Sequence, residues 1–332
     1  MSNSNDVGAH SNLPDSSKSL ENIHIAGGTY EILAPIGRGR GATIYRAKKH
    51  NPLAQENQLS AFPNESIVAL KTLNPGASQD ALRRFRHEAI AMLSCQGKNI
   101  TRIFDYITST EQPFLVMEYA ELGDLANYKL RRRATLSSTE VIQMIIQVLS
   151  GVEEMHNAGI LHRDIKPENI LVFSDRSIKI GDFGTSLLPR DDISFDDLTS
   201  GIGTFDYLAP ECLNGTGVCE ASDVFSVGVT LFQLLTGSLP FKGETVIELI
   251  DAKLSGQIAA LEDFISEPME GLSDILRKAL SRDPSNRFHR AADFRKALAQ
   301  LSSGKSEDKE GQQVPASGTR DMRHLITRPT AH

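Results

Sequence analysis

The stretch HRDIKPENILVFSDRSIKIGDFG, residues 162–184, sets charged and amide side chains around two short apolar segments. ILVF and IKIG predict two short β-strands, and SDRS between them predicts a four-residue turn. In this hairpin Phe173 faces Ile178, and continued pairing places Asn169 opposite Asp182, at about 5 Å. The sequence therefore predicts that the hairpin brings a carboxamide and a carboxylate to one point.

These side chains form a pattern that suits phosphoryl transfer. The oxygens of Asn169 and Asp182 are hard donors of the kind that Mg²⁺ prefers. Asp164 and Lys166 precede the hairpin on a loop that Pro167 stiffens, so a carboxylate can accept a hydroxyl proton while a cation neutralises the phosphoryl group. Each residue alone is more often a solvated surface charge. Their joint spacing favours a catalytic site.

HRDIKPEN followed by DFG resembles the catalytic and metal-binding loops of the eukaryotic-type (Hanks-type) serine/threonine protein kinases. Further signatures follow in chain order, and the resemblance covers about residues 30–298. It implies an α+β, bilobal fold, with a small lobe of antiparallel strands plus one helix and a large, mainly helical lobe. It also implies that Asp164 and Lys166 are catalytic and that Asn169 and Asp182 bind the metal.

The resemblance further implies a nucleotide site around the glycine-rich stretch GRGRGATI, although Ala42 occupies the third glycine position of the family pattern. Lys71 in VALK is expected to reach the phosphates and to pair with Glu88. In the alternative, Glu88 lies at the edge of the apolar stripe of its helix and its carboxylate reaches water. Met117 is expected at the gatekeeper position, a role compatible with ordinary core packing. The expected nucleotide-binding residues are Ile36, Gly37, Arg38, Gly39, Arg40, Gly41, Ala42, Thr43, Ile44, Ala69, Lys71, Glu88, Met117, Glu118, Ala120 and Leu171.

Several matched residues are expected to be structural. Glu211 in APE is expected to pair with Arg287, and Asp223 to hold the backbone of the catalytic loop. Thr204 is expected to bond Asp164 and Lys166. An apolar column linking the two lobes is expected to consist of Met92, Ile103, His162 and Phe183.

The segment that begins at Thr185 offers sites for phosphorylation. We expect phosphate on Thr199 or Ser200 to pair with Arg163 and with Arg84, which would order the segment. The alternative is a solvated acidic loop, because four aspartates in the same segment could supply the anion without modification.

Composition is that of an ordinary soluble globular protein, with 40% hydrophobic and 23% charged residues among 332. A net charge of −7 argues against bulk binding to nucleic acid. The three cysteines have neither metal-binding nor disulfide spacing, which predicts reduced thiols. The N-terminal stretch has no apolar segment of a signal peptide, and no window is long enough to span a bilayer, so we expect a cytoplasmic protein.

Composition and periodicity divide the chain into four parts. We expect a disordered tail at 1–26, a small lobe at 27–120, a large lobe at 121–300 and a second disordered tail at 301–332. A helix is predicted after an N-cap at Ser78, and a second one after a capping box from Ser137 to Glu140. The nearly apolar stretch SDVFSVGVTLFQLLTG predicts a buried helix.

The predicted function is a serine/threonine protein kinase that transfers the ATP γ-phosphate to protein hydroxyls and autophosphorylates on its activation loop. Lys166 followed by PEN indicates the serine/threonine class, and APE with its arginine favours a protein substrate over a small molecule. The predicted cofactors are ATP and Mg²⁺, or Mn²⁺ in its place, and self-association is expected to be transient. The alternative is a pseudokinase scaffold, which would usually carry a lesion at Lys71, Asp164, Asn169 or Asp182; all four residues are intact.

Overall fold

An antiparallel sheet forms most of the first part of the structure, and helices dominate the part that follows. The computed structural model describes residues 23–25, 28–39, 41–50, 66–108, 112–132, 135–186, 205–213, 217–263 and 269–307. The six strands lie in the order β1-β2-β3-β4-β6-β5, with every neighbouring pair antiparallel. They are β1 (Ile23–Ile25), β2 (Gly28–Arg38), β3 (Ala42–His50), β4 (Ser66–Leu73), β5 (Ile103–Ile107) and β6 (Phe114–Glu118).

The alternation of side chains along β4 gives the sheet two different faces. Val68 and Leu70 belong to a small apolar cluster on the outer face. Ala69, between them, belongs to the main core on the inner face, and Lys71 follows it at the same spacing. The sheet thus presents Ala69 and Lys71 to the rest of the molecule.

One helix, α1 (Gln79–Ser94), interrupts the strands. It begins where predicted, because the Ser78 side chain accepts a hydrogen bond from the Ala81 amide at 3.2 Å. Its buried face carries Phe85, Ala89 and Met92, and the buried Glu88 lies on the same face. The helix therefore packs its apolar stripe inward and carries one carboxylate with it.

The large lobe is built around a helix that is buried on almost every side. This helix, α5 (Glu220–Thr236), contains the apolar stretch predicted to be buried, and it ends at Gly237, whose φ of 75° is the left-handed conformation typical of a helix end. The predicted capping box from Ser137 to Glu140 begins the helix α3 (Ser138–Asn157). The other helices are α2 (Leu125–Arg131), α4 (Pro210–Leu213), α6 (Val246–Ser255), α7 (Leu272–Ala279) and α8 (Ala291–Glu307).

The hairpin of the opening stretch exists, but its register differs by one residue from the prediction. Strands β7 (Ile170–Val172) and β8 (Ile178–Ile180) pair Val172, not Phe173, with Ile178. The Phe173 amide donates to the Ser177 carbonyl at 3.1 Å, so the loop has three residues, 174–176, instead of the predicted four. Arg176, the last of the three, adopts a left-handed conformation with φ of 63°.

The shifted register changes which residue faces Asn169. The amide of Gly181 donates to the Asn169 carbonyl at 2.9 Å, so Gly181 occupies the position predicted for Asp182. Asp182 follows one residue later and is itself left-handed, with φ of 57°. The prediction that Asn169 and Asp182 face each other across the hairpin is therefore wrong.

The bilobal α+β fold class is confirmed, while two predicted boundaries differ from the structure. Strand β1 lies inside the predicted tail at 1–26, because it pairs with β2. Helix α8 continues to Glu307, inside the predicted tail at 301–332, because Leu301 still packs against the main core. In the residues that the structure describes, no helix has the length and apolarity needed to cross a membrane.

Candidate active site

The candidate site is a cavity of about 410 Å³ between the inner face of the sheet and the β7–β8 hairpin. Ala69 on β4 and Met117 on β6 pair directly in the sheet and form its back, while Leu171 on β7 lines the opposite side. The predicted residues that line the cavity are Ile36, Gly37, Ile44, Ala69, Lys71, Glu88, Met117, Glu118, Ala120, Leu171, Asn169 and Asp182. We call this cavity the cleft.

A second cavity, also of about 410 Å³, adjoins the cleft beneath the glycine-rich turn. It contains the remaining predicted turn residues Arg38, Gly39, Gly41 and Ala42. Thr43 lines neither cavity; its side chain is buried and its hydroxyl donates to Asn74 Oδ1 at 2.7 Å, because alternation along β3 turns it away from Ala42 and Ile44. Arg40 lies outside the described residues.

Lys71 connects the two sides of the cleft. Its ammonium donates to Glu88 Oε1 at 2.6 Å and to Asp182 Oδ1 at 2.9 Å. The predicted pair of Lys71 with Glu88 is therefore present, and the alternative in which Glu88 reaches water is wrong, since its side chain is only 4% exposed. One cation thus joins a strand, a helix and the segment after the hairpin.

Charge proximity outweighs burial at Lys71 and Asp182, whereas burial outweighs the attraction of Lys71 at Glu88 and raises the pKa of that carboxyl. Burial alone would lower the pKa of Lys71, but the carboxylates of Asp182 and Glu88 outweigh it and raise that pKa. Lys71 in turn lowers the pKa of Asp182 to about 2. Lys71 is therefore a fixed cation and Asp182 a fixed anion at neutral pH.

Asp164 and Lys166, predicted to be catalytic, contact each other and Asn169, which is predicted to bind the metal. The Lys166 ammonium lies 2.9 and 2.7 Å from the two carboxylate oxygens of Asp164. The Asn169 amide nitrogen donates to the Asp164 carbonyl at 2.7 Å and to its Oδ2 at 2.8 Å. These contacts orient the nitrogen of Asn169 toward Asp164 and its oxygen away from it.

A buried aspartate fixes the loop from below. Asp223, on α5, accepts hydrogen bonds from the amides of His162 and Arg163, both at 2.9 Å, as predicted. Its Oδ2 also lies 2.9 Å from Nε2 of His156. Burial would raise the pKa of Asp223, but the hydrogen bonds and the neighbouring histidines outweigh it and lower that pKa. The loop backbone is therefore held by a buried carboxylate.

The other predicted structural contacts can be located as well. Arg287 forms two hydrogen bonds of 2.7 Å to the two carboxylate oxygens of Glu211, and both side chains are buried. The His162 and Phe183 rings meet edge to face at 5.3 Å between centroids. Met92 and Ile103, the other two residues of the predicted column, are buried in the main core. Thr199, Ser200 and Thr204 lie outside the described residues.

Sequence reasoning missed part of the cleft wall. Asn127 and Arg131 line its mouth from α2, where their separation of four residues puts them on one helical face. The sequence alone could therefore have predicted that these two side chains lie on the same face of the helix. Thr101 at the back of the cleft, only 2% exposed, carried no such signal, because its position depends on the backbone hydrogen bond that Thr101 donates to Ile180. The other missed residues are Tyr119, Glu121, Gly123, Asp124, Glu168 and Gly181.

Comparison with known proteins gives the family. The protein kinase domain model matches residues 30–299. The chain belongs to the protein kinase family. It is 30% identical over 286 residues to the probable serine/threonine-protein kinase PknB of Lactococcus lactis, with 86% of this chain and 43% of the relative covered.

Two further relatives carry similar names. The chain is 31% identical over 269 residues to the serine/threonine-protein kinase PrkC of Bacillus subtilis, covering 80% of this chain and 39% of that protein. It is 33% identical over 263 residues to the serine/threonine-protein kinase PknL of Mycobacterium tuberculosis, covering 78% of this chain and 62% of that protein. The kinase-family chain thus spans less than half the length of the PknB and PrkC relatives.

Proposed function

We propose that this chain is an ATP-dependent protein serine/threonine kinase. The observation that carries the proposal is Lys71, which joins Glu88 and Asp182 beside a loop that contains Asp164, Lys166 and Asn169. These are the parts that phosphoryl transfer requires: a fixed cation at the phosphates, a proton acceptor and oxygen ligands for a metal. The names of the relatives support the serine/threonine class.

The lining of the cleft supports the proposal that it binds the nucleotide. Ala69, Met117 and Leu171 provide an apolar slot, and the main chain of Glu118–Ala120 borders it. Lys71 supplies the positive charge at the inner end, where the turn residues Gly37 and Gly39 leave room for phosphate oxygens. Adenine would occupy the apolar slot, and the phosphates would extend toward Lys71 and the turn.

The donor set beside the phosphates suits a hard divalent cation. The described hydrogen bonds of the Asn169 side chain use its nitrogen, so its oxygen is the atom offered to a metal. Asp182 is ionised and its side chain is 51% exposed to the cleft. We propose that these two residues hold Mg²⁺, with Mn²⁺ as the alternative. When bound, the ion would neutralise negative charge on the phosphate oxygens.

Asp164 is the proposed proton acceptor. A serine or threonine hydroxyl beside Asp164 would form the new P–O bond to the γ-phosphorus, while the bond between that phosphorus and the bridging oxygen of ADP breaks. The hydroxyl proton passes to Asp164, and Lys166 stabilises the negative charge on the transferring group.

The test is phosphate incorporation from labelled ATP, with Mg²⁺ and a generic basic protein as substrate. We expect incorporation by the wild-type chain and a loss of at least about a thousandfold in Asp164→Asn. A wild-type chain that binds nucleotide but transfers no phosphate would instead support the pseudokinase alternative. Full incorporation by Asp164→Asn would contradict the assignment of the proton acceptor.

Regulation by phosphorylation on Thr199 or Ser200 remains part of the proposal. Arg84 is exposed on α1 and lines the second cavity, where it could meet a phosphate. Mass spectrometry after incubation with ATP, at several protein concentrations, would find the modified residue and reveal whether transfer occurs between transiently associated copies. Unchanged activity in both Thr199→Ala and Ser200→Ala would remove this regulation.

Location and other partners are also proposed. The described residues contain three free cysteines, which fits a reducing compartment such as the cytoplasm. The net charge of −7 argues against nucleic acid as a partner. Fractionation of cells that express the chain, with and without nuclease treatment, would test both statements.

A further inference from the structure

A buried lysine lies beneath the segment that precedes α4. Lys253, on α6, is fully buried with 0% exposure. Its ammonium donates to the main-chain carbonyls of Phe205 at 2.5 Å, Asp206 at 2.8 Å and Leu208 at 2.7 Å. A fully buried lysine is rare unless its charge is compensated. Burial lowers the pKa of Lys253 to about 7, and the three carbonyl oxygens are the acceptors that its protonated form needs.

Residues 205–208, which we call the docking segment, depend on side chains for their main-chain hydrogen bonds. The one carbonyl that Lys253 does not bind, that of Tyr207, accepts a hydrogen bond of 2.9 Å from the Ser226 hydroxyl on α5. Side chains of α5 and α6 therefore bind all four consecutive carbonyls.

The chemistry of the ammonium group explains the shape of the segment. An ammonium has three N–H donors, which equals the number of carbonyls that it contacts. Three carbonyl dipoles that point at one place repel one another unless a cation lies between them. Without Lys253, the carbonyls of the docking segment would turn outward and the segment would change its path.

Aromatic rings fix the position of the ammonium from its other sides. It lies 5.6 Å from the centroid of the Phe225 ring and 5.9 Å from that of Phe241, and the two rings are stacked. Arg287, which pairs with Glu211, also lies against Phe225, at 4.9 Å. Lys253 is therefore part of the same packed unit as the buried ion pair.

We propose that Lys253 is a positioning residue for protein substrates: its ammonium fixes the docking segment by binding three main-chain carbonyls. The inference rests on the proposed kinase function and on the similarity of GTFDYLAPE, residues 203–211, to the segment against which protein kinases dock a substrate polypeptide. Lys253 contacts neither cavity of the nucleotide site. Its removal should therefore affect the protein substrate and leave ATP binding intact.

The test compares Lys253→Met, which keeps the length of the side chain but has no donor, with Lys253→Arg, which keeps a cation. The matched control is Lys296→Met, the same change at an exposed lysine of α8. We expect Lys253→Met to raise the KM for a protein substrate about tenfold or more, with the KM for ATP within about twofold of wild type. Lys253→Arg should recover part of the loss, and Lys296→Met should equal wild type.

A second readout does not depend on activity. Hydrogen–deuterium exchange of amides 205–213 should be faster in Lys253→Met than in wild type, while exchange in the β7–β8 hairpin stays the same. If the wild-type chain transfers no phosphate, the kinase proposal fails, and the exchange measurement still tests whether Lys253 fixes the segment.

Two results would overturn the inference. One is a folded Lys253→Met with wild-type KM for protein substrate and wild-type exchange in the docking segment. The other is an equal loss of affinity for ATP and for protein substrate, which would indicate general damage. If Lys253→Met does not fold, Lys253→Gln, which keeps an N–H donor on a shorter side chain, is measured against the same criteria.

Discussion

The Lys71 ammonium lies 2.6 Å from Glu88 Oε1, and almost none of the glutamate side chain reaches solvent. The pair joins β4 to α1, so the position of the helix sets the position of the lysine. Because Lys71 also contacts Asp182 at 2.9 Å, a change at Glu88 should reach the proposed metal site.

Replacement of Glu88 by glutamine should therefore reduce catalysis strongly. Glu88→Gln leaves Lys71 with Asp182 as its remaining carboxylate contact in the described structure, so α1 no longer holds the lysine by an ion pair. We expect kcat/KM for ATP to fall by at least about a hundredfold, from steady-state kinetics. Glu270→Gln, the same change at an exposed position, is the control and should match wild type. Near-normal kcat/KM in Glu88→Gln would refute the role of the pair.

Much of this site follows from local sequence spacing. Alternation along β4 aligns Ala69 with Lys71, and helical periodicity puts Glu88 on the buried face of α1. These short-range rules fix the face on which each side chain lies, and the resemblance to the kinase family supplied the pairing of Lys71 with Glu88. The capping box of α3 and the glycine that ends α5 are equally local signals.

Other features depend on information that the sequence does not display. The hairpin register depends on the left-handed Arg176, and a non-glycine residue gives little indication of that conformation. The Lys253 ammonium binds carbonyls of residues that lie 45 to 48 positions earlier in the chain. Every residue has a main-chain carbonyl, so the sequence does not mark these three as acceptors. Only the packed structure identifies those acceptors.

Removal of the Lys166 charge should slow the chemical step more than it weakens nucleotide binding. Lys166 contacts both carboxylate oxygens of Asp164 and does not line the cleft. We expect Lys166→Met to lower kcat by about 10²–10³-fold, because one preorganised charge at the transferring group is lost. The KM for ATP should stay within about twofold. Lys98→Met, at an exposed lysine, is the matched control; a Lys166→Met enzyme with normal kcat would exclude a catalytic role.

The buried pair of Glu211 with Arg287 should make stability depend on pH in the acid range. Burial would raise the pKa of Glu211, but hydrogen bonds and charge from Arg287 outweigh it and lower that pKa below the unfolded value. The unfolded chain therefore binds more protons at acid pH. The contribution of Glu211 is complete above its unfolded pKa and is lost as the pH falls through its lower folded pKa.

Glu211→Gln tests this dependence. We expect it to reduce the free energy of unfolding by about 3–5 kcal/mol at pH 7, because Arg287 stays buried without its counter-charge. Urea unfolding at a series of pH values from 7 to about 3 should show the difference between wild type and Glu211→Gln becoming smaller below about pH 5, where the unfolded chain begins to protonate Glu211. Asp263→Asn, at an exposed site, should give no comparable trend. A difference that stays constant down to pH 4 and below would contradict the lowered pKa.

The contact of α3 with the strand that leads to Asp182 requires a residue without a side chain. A Cβ atom on Gly151 would lie 2.5 Å from the carbonyl oxygen of Asn99 and 3.0 Å from Cδ1 of Ile180. The carbonyl cannot turn away without loss of the hydrogen bond of 2.9 Å that it accepts from the Ile180 amide. Gly151→Ala should therefore displace α3 from β8 and lower the free energy of unfolding by about 1–3 kcal/mol.

Urea unfolding of Gly151→Ala beside Gly41→Ala isolates the steric cause. A Cβ on Gly41 would meet nothing within 4 Å, so the same substitution there should change the free energy of unfolding by less than about 1 kcal/mol. Because Asp182 lies two residues after the end of β8, we also expect Gly151→Ala to raise the KM for ATP at saturating metal. Equal stability of the two variants would show that α3 and β8 are not packed as closely as the Asn99 contact requires.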